Sequence, residues 1–543
     1  MTAPDGRRPV SRRAFLVVTG AAAASVLAAC TEEPQAPAPT GARSPGRTTP
    51  SSPGRWQSEL VSVTDGRLAY RHDDGLRIPD FGQAGYGGGG RPLPDVPAAR
   101  TIEPIDGDNT AHLQRALDAV GALPLGDRGV RGALVLAPGT YTLAGTLRLD
   151  RSGVVLRGAG DGTDPSTATI LRAVGDDPPE RDVVVVGGEG DGEREVRGTR
   201  TDITSDVVPV AAASFAVADV AGLRPGTPVV VVHPCSERWL DAVDHGGTGR
   251  DERWEVGSLP IVYHRRITDV AGDVVTLDVP VFTTLDRSLS QSRLSVRDRS
   301  GLVTDVGVED LRLDIAATAA DDERHAKNGI RLRLVEDAWV RRCTVVHFTQ
   351  AGVVTTNAHR VTVVDCRALE PAARTTGGRR YNFNADRGSQ QVLFTGCHAE
   401  GGRHAYVSNG TSSVSGVVFH RTTATGSLAS SEGHRRWSQG LLFDIHRELA
   451  PATDRTLGLY NRGDYGTGHG WSAVHSVAWA CDVGDSRLVV QRPPTAQNYA
   501  VGCVGDVTGD GPFDGPEGHA EGTGRPGLEP ASLYEAQLAA RTR

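Results

Sequence analysis

Only one of the 58 basic side chains in this 543-residue chain, Lys327, is a lysine. Every other cationic task therefore falls to arginine. The net charge of −8 and pI near 6.1 lack the basic footprint of a phosphate-backbone binder, which excludes nucleic acid as an expected partner. Cysteine occurs seven times, never in a Cys-x-x-Cys spacing, so neither a zinc nor a redox motif is written in the chain. Long helical stripes are missing too. The longest apolar run, from Ala14 to Ala29, is too short for a standard spanning helix.

What the chain does hold is 67 glycines and many short Val/Leu/Thr runs, the composition of β structure. Ser11-Arg12-Arg13-Ala14-Phe15-Leu16 is a twin-arginine export pattern, and Leu27-Ala28-Ala29-Cys30 resembles a lipobox. Residues 1–30 are thus expected to be a signal peptide cleaved before Cys30, whose lipidated sulfur would anchor the protein outside the cytoplasmic membrane. A simple secreted protein is the alternative. Residues 31–56, rich in Pro, Ser and Thr, read as a disordered tether, and the lipid is the only membrane contact expected.

Residues 57–130 form an entry segment and a short amphipathic helix, with Leu113, Ala116, Leu117 and Val120 on one face and Asp108 or Asn109 as N-cap. Short strands follow: Ala133–Leu136, Pro138-Gly139-Thr140-Tyr141, Gly145–Leu149 and Gly153-Val154-Val155-Leu156-Arg157-Gly158. A helix led by Asp-x-Thr, a strand, Pro-Gly-Thr-Tyr and a Gly-Val-x-Leu-Arg-Gly-x-Gly turn resemble the opening of the pectate-lyase superfamily. The resemblance implies an all-β fold, a right-handed single-stranded parallel β-helix over 131–505 with the helix capping its end.

An internal repeat points the same way. Val340 and Cys343, Val363 and Cys366, Phe394 and Cys397, and Phe419 and Thr422 each stand three apart, in copies 23, 31 and 25 residues from one another. A β-helix coil needs about this many residues, so Cys343, Cys366, Cys397 and Thr422 are expected to stack as an internal ladder of packed thiols. Strand-like runs at Val207-Val208, Phe215–Val217, Val229–Val232 and Val274–Leu277 interrupt the coils and read as an inserted β module over 201–286. Strands are expected to stop after Cys503, leaving a tail over 506–543 with a short terminal helix.

Arginine, histidine and an aromatic recur together at Arg379-Arg380-Tyr381-Asn382-Phe383, Arg403-His404-Ala405-Tyr406, His434-Arg435-Arg436-Trp437 and His469-Gly470-Trp471. Aromatic faces bind sugars, arginines pair with carboxylates and histidines move protons near neutral pH. On successive coils these strings would line one lateral groove holding a polysaccharide. β-Elimination from a uronic-acid glycan fits them first: His404, His434, Arg403, Arg436 and Tyr406 as the catalytic set, and Arg379, Arg380, Tyr381, Asn382, Arg435, Trp437, His469, Trp471 and His325 as binding residues. Glycoside hydrolysis is the alternative and would need two carboxylates from Asp386, Glu432, Asp444 and Asp464. A non-catalytic glycan or cell-wall binder is the third reading. No cofactor is required by the first. The resemblance admits calcium, since several β-helix lyases use it, but no metal ligand is marked in the sequence.

Overall fold

The computed structural model describes residues 54–542 apart from 127–128, 176–179, 191, 193–194 and 250–252. The export pattern, Cys30 and most of the expected tether lie outside these residues. Twenty-seven strands join in one parallel sheet that winds into coils, so the fold is the expected right-handed parallel β-helix. No helix among the described residues is long and apolar enough to cross a membrane.

One strand stack positions the site. Asp182–Val186, the first part of Asn328–Val346, the first part of Ala351–Val364, Tyr381–Ala385, His404–Ser408, Ser431–Gly433 and Arg455–Leu459 pair in that order. Their register sets Arg331, Val354, Asn384, Val407, Glu432 and Gly458 in a single row. Residues two apart along each strand share a face, so Phe383 and Tyr406 fall together on the inner side, stacked with centroids 5.2 Å apart.

The cysteine ladder is present and longer than the repeat suggested. Pairings of Thr344 with Arg367, Arg367 with His398, His398 with Thr423, Thr423 with Arg447, Arg447 with Asp482 and Asp482 with Val504 align the residues just before them. The inner row is therefore Cys343, Cys366, Cys397, Thr422, His446, Cys481 and Cys503, all buried. Each follows a residue of positive φ, from Arg342 (49°) and Asp365 (52°) to Ala480 (50°) and Gly502 (63°), the bend that turns the chain from one sheet to the next. The six described cysteines are free, and Cys235 alone belongs to the insertion.

Helix Thr110–Gly121 buries Leu113, Ala116, Leu117 and Val120 against the same core. Its first turn is held by Asp108, whose Oδ1 accepts from the Thr110 backbone N–H at 2.9 Å and from its hydroxyl at 2.6 Å. The insertion is a six-stranded antiparallel sheet whose last strand, Arg293–Val296, lies beyond the expected end at 286. It docks by Phe282, which rests on Gly416 and Gly440: a Cβ on Gly440 would overlap the Phe282 ring. The coils also outlast the sequence expectation. Val504–Thr508 and His519–Glu521 still pair with the helix, because backbone register rather than apolar side chains holds these polar strands. The terminal helix, Leu533–Thr542, is capped by buried Asp444, which accepts from Ser532 Oγ at 2.5 Å and from the Tyr534 N–H at 2.9 Å.

Candidate functional site

Three successive coils deliver His404, the Glu432–His434 segment and the Tyr460–Arg462 segment to one cavity of about 320 Å³, lined also by Arg403, Arg455 and His469. Glu432 is its hub and is 1% exposed. One carboxylate oxygen, Oε1, receives Arg462 at 2.9 Å, His434 Nδ1 at 2.8 Å and His404 Nδ1 at 3.3 Å; the other, Oε2, accepts the Tyr460 hydroxyl at 2.6 Å. Arg462 also lies against His434 Nδ1 and donates to its carbonyl oxygen at 2.7 Å.

This geometry selects the His404 tautomer. Its Nδ1 faces the Glu432 carboxylate and a second acceptor, the Ser430 carbonyl at 2.6 Å, which favours Nδ1–H and leaves the lone pair on Nε2. His434 Nδ1 instead faces an acceptor, Glu432 Oε1, and a donor, the Arg462 guanidinium, together. His434 Nε2 faces the Tyr381 hydroxyl at 3.4 Å, which itself accepts from the Gly378 N–H at 3.1 Å. His404 Nε2 is buried and has no partner among the described residues. The rings form a packed file, with centroids 4.6 Å apart for His404 and His434 and 4.8 Å for His434 and His469.

Burial, and next to it Glu432 acting the opposite way, leaves His404 well below the usual histidine range. His434 is likewise held well below it, by burial and then Arg462, while His469 is pushed down to about 3 by the same two causes. All three are neutral at pH 7. Folding thus depresses their proton affinity below that of the unfolded chain, near 6.5. Their contribution to stability is present above about pH 6.5 and is lost as the pH falls toward the folded-state values. Asp444 works in the opposite sense: burial raises it to about 7, so its contribution fades as pH rises through that value. Buried His264, His359 and His475 are also depressed. The denaturant midpoint should therefore fall between pH 6.5 and 4 with proton uptake on unfolding; a flat midpoint over that interval contradicts the burial of neutral histidines.

The structure brings together Arg403, His404, Glu432, His434, His469 and Tyr381 from the expected set, with Arg435 anchored beside them on the Asn409 carbonyl at 3.0 Å. It sends others elsewhere. Tyr406 is an inner core residue whose hydroxyl donates to the Cys397 and Thr423 carbonyls at 2.8 and 2.9 Å, so it faces no substrate. Asn382 is buried at a corner, donating to the Ala368 and Glu400 carbonyls at 2.7 and 3.0 Å. Trp437 is 0% exposed, edge-on to Trp239 and Trp254 of the insertion, and Trp471 packs in the same apolar cluster. Neither offers a ring face to a sugar. His325 is buried on the Asp322 and Ala372 carbonyls at 2.8 and 3.1 Å.

The outlying arginines are occupied. Arg379 forms a two-point pair with Glu323 at 2.5 and 3.0 Å, Arg380 donates to the Pro371 carbonyl at 2.8 Å, and Arg436 donates to the Gly468 carbonyl at 3.1 Å. Among the alternative carboxylates only Glu432 is in the cavity. Asp386 accepts from the Arg387 N–H at 2.9 Å, Asp444 caps the terminal helix, and Asp464 receives the Gly249 N–H at 2.5 Å. Tyr460, Arg462 and Arg455 were missed by sequence reading. Their signal is the coil period, which pairs Glu432 with Gly458.

His404, Glu432 and His434 place one ligand atom each within 4.8 Å of one another, the spacing of a metal site. Two nitrogens and one carboxylate suit calcium poorly, since it takes roughly six to eight oxygens. Arg462 already supplies the positive charge at Glu432 Oε1 and His434 Nδ1.

No family model matches the chain, and no curated protein does. Among solved structures, an alginate lyase from Paenibacillus is 10% identical, with 78% of this chain and 100% of that one aligned at a TM-score of 0.39. The tailspike protein gp49 from Pseudomonas phage LKA1 is 13% identical over 74% and 69% of the two chains at 0.38, and the polygalacturonase from Erwinia carotovora is 10% identical over 80% and 86% at 0.36. The parallel β-helix rests on the strand register of this chain.

Proposed function

We propose that the protein is a polysaccharide lyase that cleaves a uronic-acid-containing glycan by β-elimination in this cavity. The observation that carries the reading is the pairing of neutral histidines with cations that no described carboxylate neutralises: Arg403 and Arg455 line the cavity without a carboxylate partner among the described residues, Arg455 lying over the Tyr460 ring at 5.5 Å. A uronate carboxylate between them would be neutralised, which acidifies the C5 proton. His404 Nε2 takes that proton, the C4–C5 double bond forms and the C4–O bond breaks. The leaving oxygen is protonated by the Tyr381 hydroxyl, and the phenolate so formed is held by the Gly378 N–H and by Nε2–H of His434, the tautomer in which Nδ1 accepts from Arg462. The step needs no co-reactant. Tyr381 and Arg455 take the places assigned from sequence to Tyr406 and Arg436.

Hydrolysis has less support, because it needs a second carboxylate near Glu432 and the other three candidates are engaged elsewhere. The test is incubation with a panel of acidic glycans, following the ultraviolet absorbance of an unsaturated uronate. The parent should generate it, and His404→Ala should lose about 10²–10⁴ of the rate with its fold retained. New reducing ends without absorbance overturn elimination in favour of hydrolysis, and retention with neither product reduces the site to a binder.

A further inference from the structure

Four coils from Glu432, in the same row of the same strand stack, Arg331 lines a separate cavity of about 380 Å³. Strand spacing puts these two positions about 19 Å apart along the helix axis. Arg331 is fixed, with Nε on Asp182 at 2.8 Å and a terminal nitrogen on Thr356 Oγ1 at 3.2 Å. Arg333 and Arg387 line the same cavity, and neither has a carboxylate partner among the described residues. Asp182 is matched by Arg331, so among the described residues no carboxylate answers the other two guanidinium charges in a concave site that also presents the Thr356 hydroxyl. Between the two cavities Val354, Asn384 and Val407 fill the row, all buried, so the cavities open separately on one face.

We propose that the Arg331, Arg333 and Arg387 cavity is a second binding site, which holds an anionic substituent, carboxylate or sulfate ester, of a long glycan chain. Planar guanidinium forks suit both groups, and a fixed Arg331 leaves the other two free to close on the anion. The site's place as a remote subsite of the reacting chain rests on the lyase reading; the binding of an anion does not. A chain reaching both cavities would be anchored well away from the bond that breaks, so binding energy would be gained without a contact at the reacting atoms.

The test is affinity electrophoresis through gels holding polygalacturonate, a sulfated galactan or neutral dextran, for the parent, Arg333→Gln/Arg387→Gln and His404→Ala. The double variant should bind the polyanion about tenfold more weakly or worse, with the difference shrinking as salt rises, while His404→Ala stays near the parent. Both arginines lie at the surface, and an unchanged unfolding midpoint would show that the fold persists. A larger loss on polygalacturonate assigns the carboxylate, and a larger loss on the galactan assigns the sulfate ester. Equal retention of double variant and parent, retention on dextran as strong as on the polyanions, or no retention of the parent on either polyanion overturns the subsite. Retention of the parent without unsaturated product sinks the lyase reading and leaves the subsite standing.

Discussion

Glu432→Ala is expected to lower stability by about 3–5 kcal/mol and to remove turnover. One buried carboxylate satisfies Arg462, Tyr460, His434 and His404 at once. Deleting it leaves a guanidinium charge uncompensated at 6% side-chain exposure and strips His404 of the carboxylate that holds its Nδ1–H tautomer. Glu432→Gln separates the two effects. It keeps the volume and one acceptor, so much of the fold should survive, yet a neutral amide neither balances the Arg462 charge nor holds the His404 Nδ1–H with a carboxylate, and turnover should still fall by about 10² or more. Denaturant midpoints read the first effect and unsaturated-uronate absorbance the second. A Glu432→Gln enzyme as active as the parent would remove Glu432 from its positioning role.

Trp437→Ala is expected to cost about 3–5 kcal/mol, as for a fully buried large side chain, and to loosen the insertion. The indole meets Trp239 at 5.4 Å and Trp254 at 6.3 Å, both edge-on, so its loss opens the joint between the module and the coils. Arg436 and Trp437 also carry positive φ values of 51° and 64°, two and three residues after His434, a turn that packing must hold in place. Limited proteolysis should find new cuts between residues 201 and 296 in the variant. A sugar platform would behave differently, with weaker substrate affinity at unchanged stability, and that outcome would restore the reading first drawn from the sequence.

The difference between those two readings of Trp437 shows where sequence reasoning reached its limit. The thiol ladder was legible because a constant bend repeats once per coil, and an interval between cysteines reports it directly. His404, Glu432 and His434 were legible for the same reason: they stand in or directly after successive strands that the coil count stacks. Tyr406 was misplaced because Arg-His-Ala-Tyr looks like one turn, whereas the strand already begins at His404 and its pleat carries Tyr406 inward. Trp437 and Trp471 were misread because an aromatic beside arginine looks alike whether it meets a sugar or an inserted domain; that choice belongs to contacts more than 150 residues away in sequence, such as Trp239 and Trp254. Tyr460 and Arg462 escaped because they carry no histidine neighbour, though counting one coil onward from Glu432 leads to them.

The ladder of Cys343, Cys366, Cys397, Cys481 and Cys503 also bears on how the molecule ages. Its sulfurs sit at 0–1% exposure and serve as core volume, so an oxidant has no route to them while the coils stay stacked. Chemical damage at these positions is therefore gated by opening of the helix. A chain that has opened once and been oxidised there gains polar sulfur oxygens that no longer fit the interior, and it cannot restack as before. Wear on this protein is recorded preferentially in those copies that have already come apart.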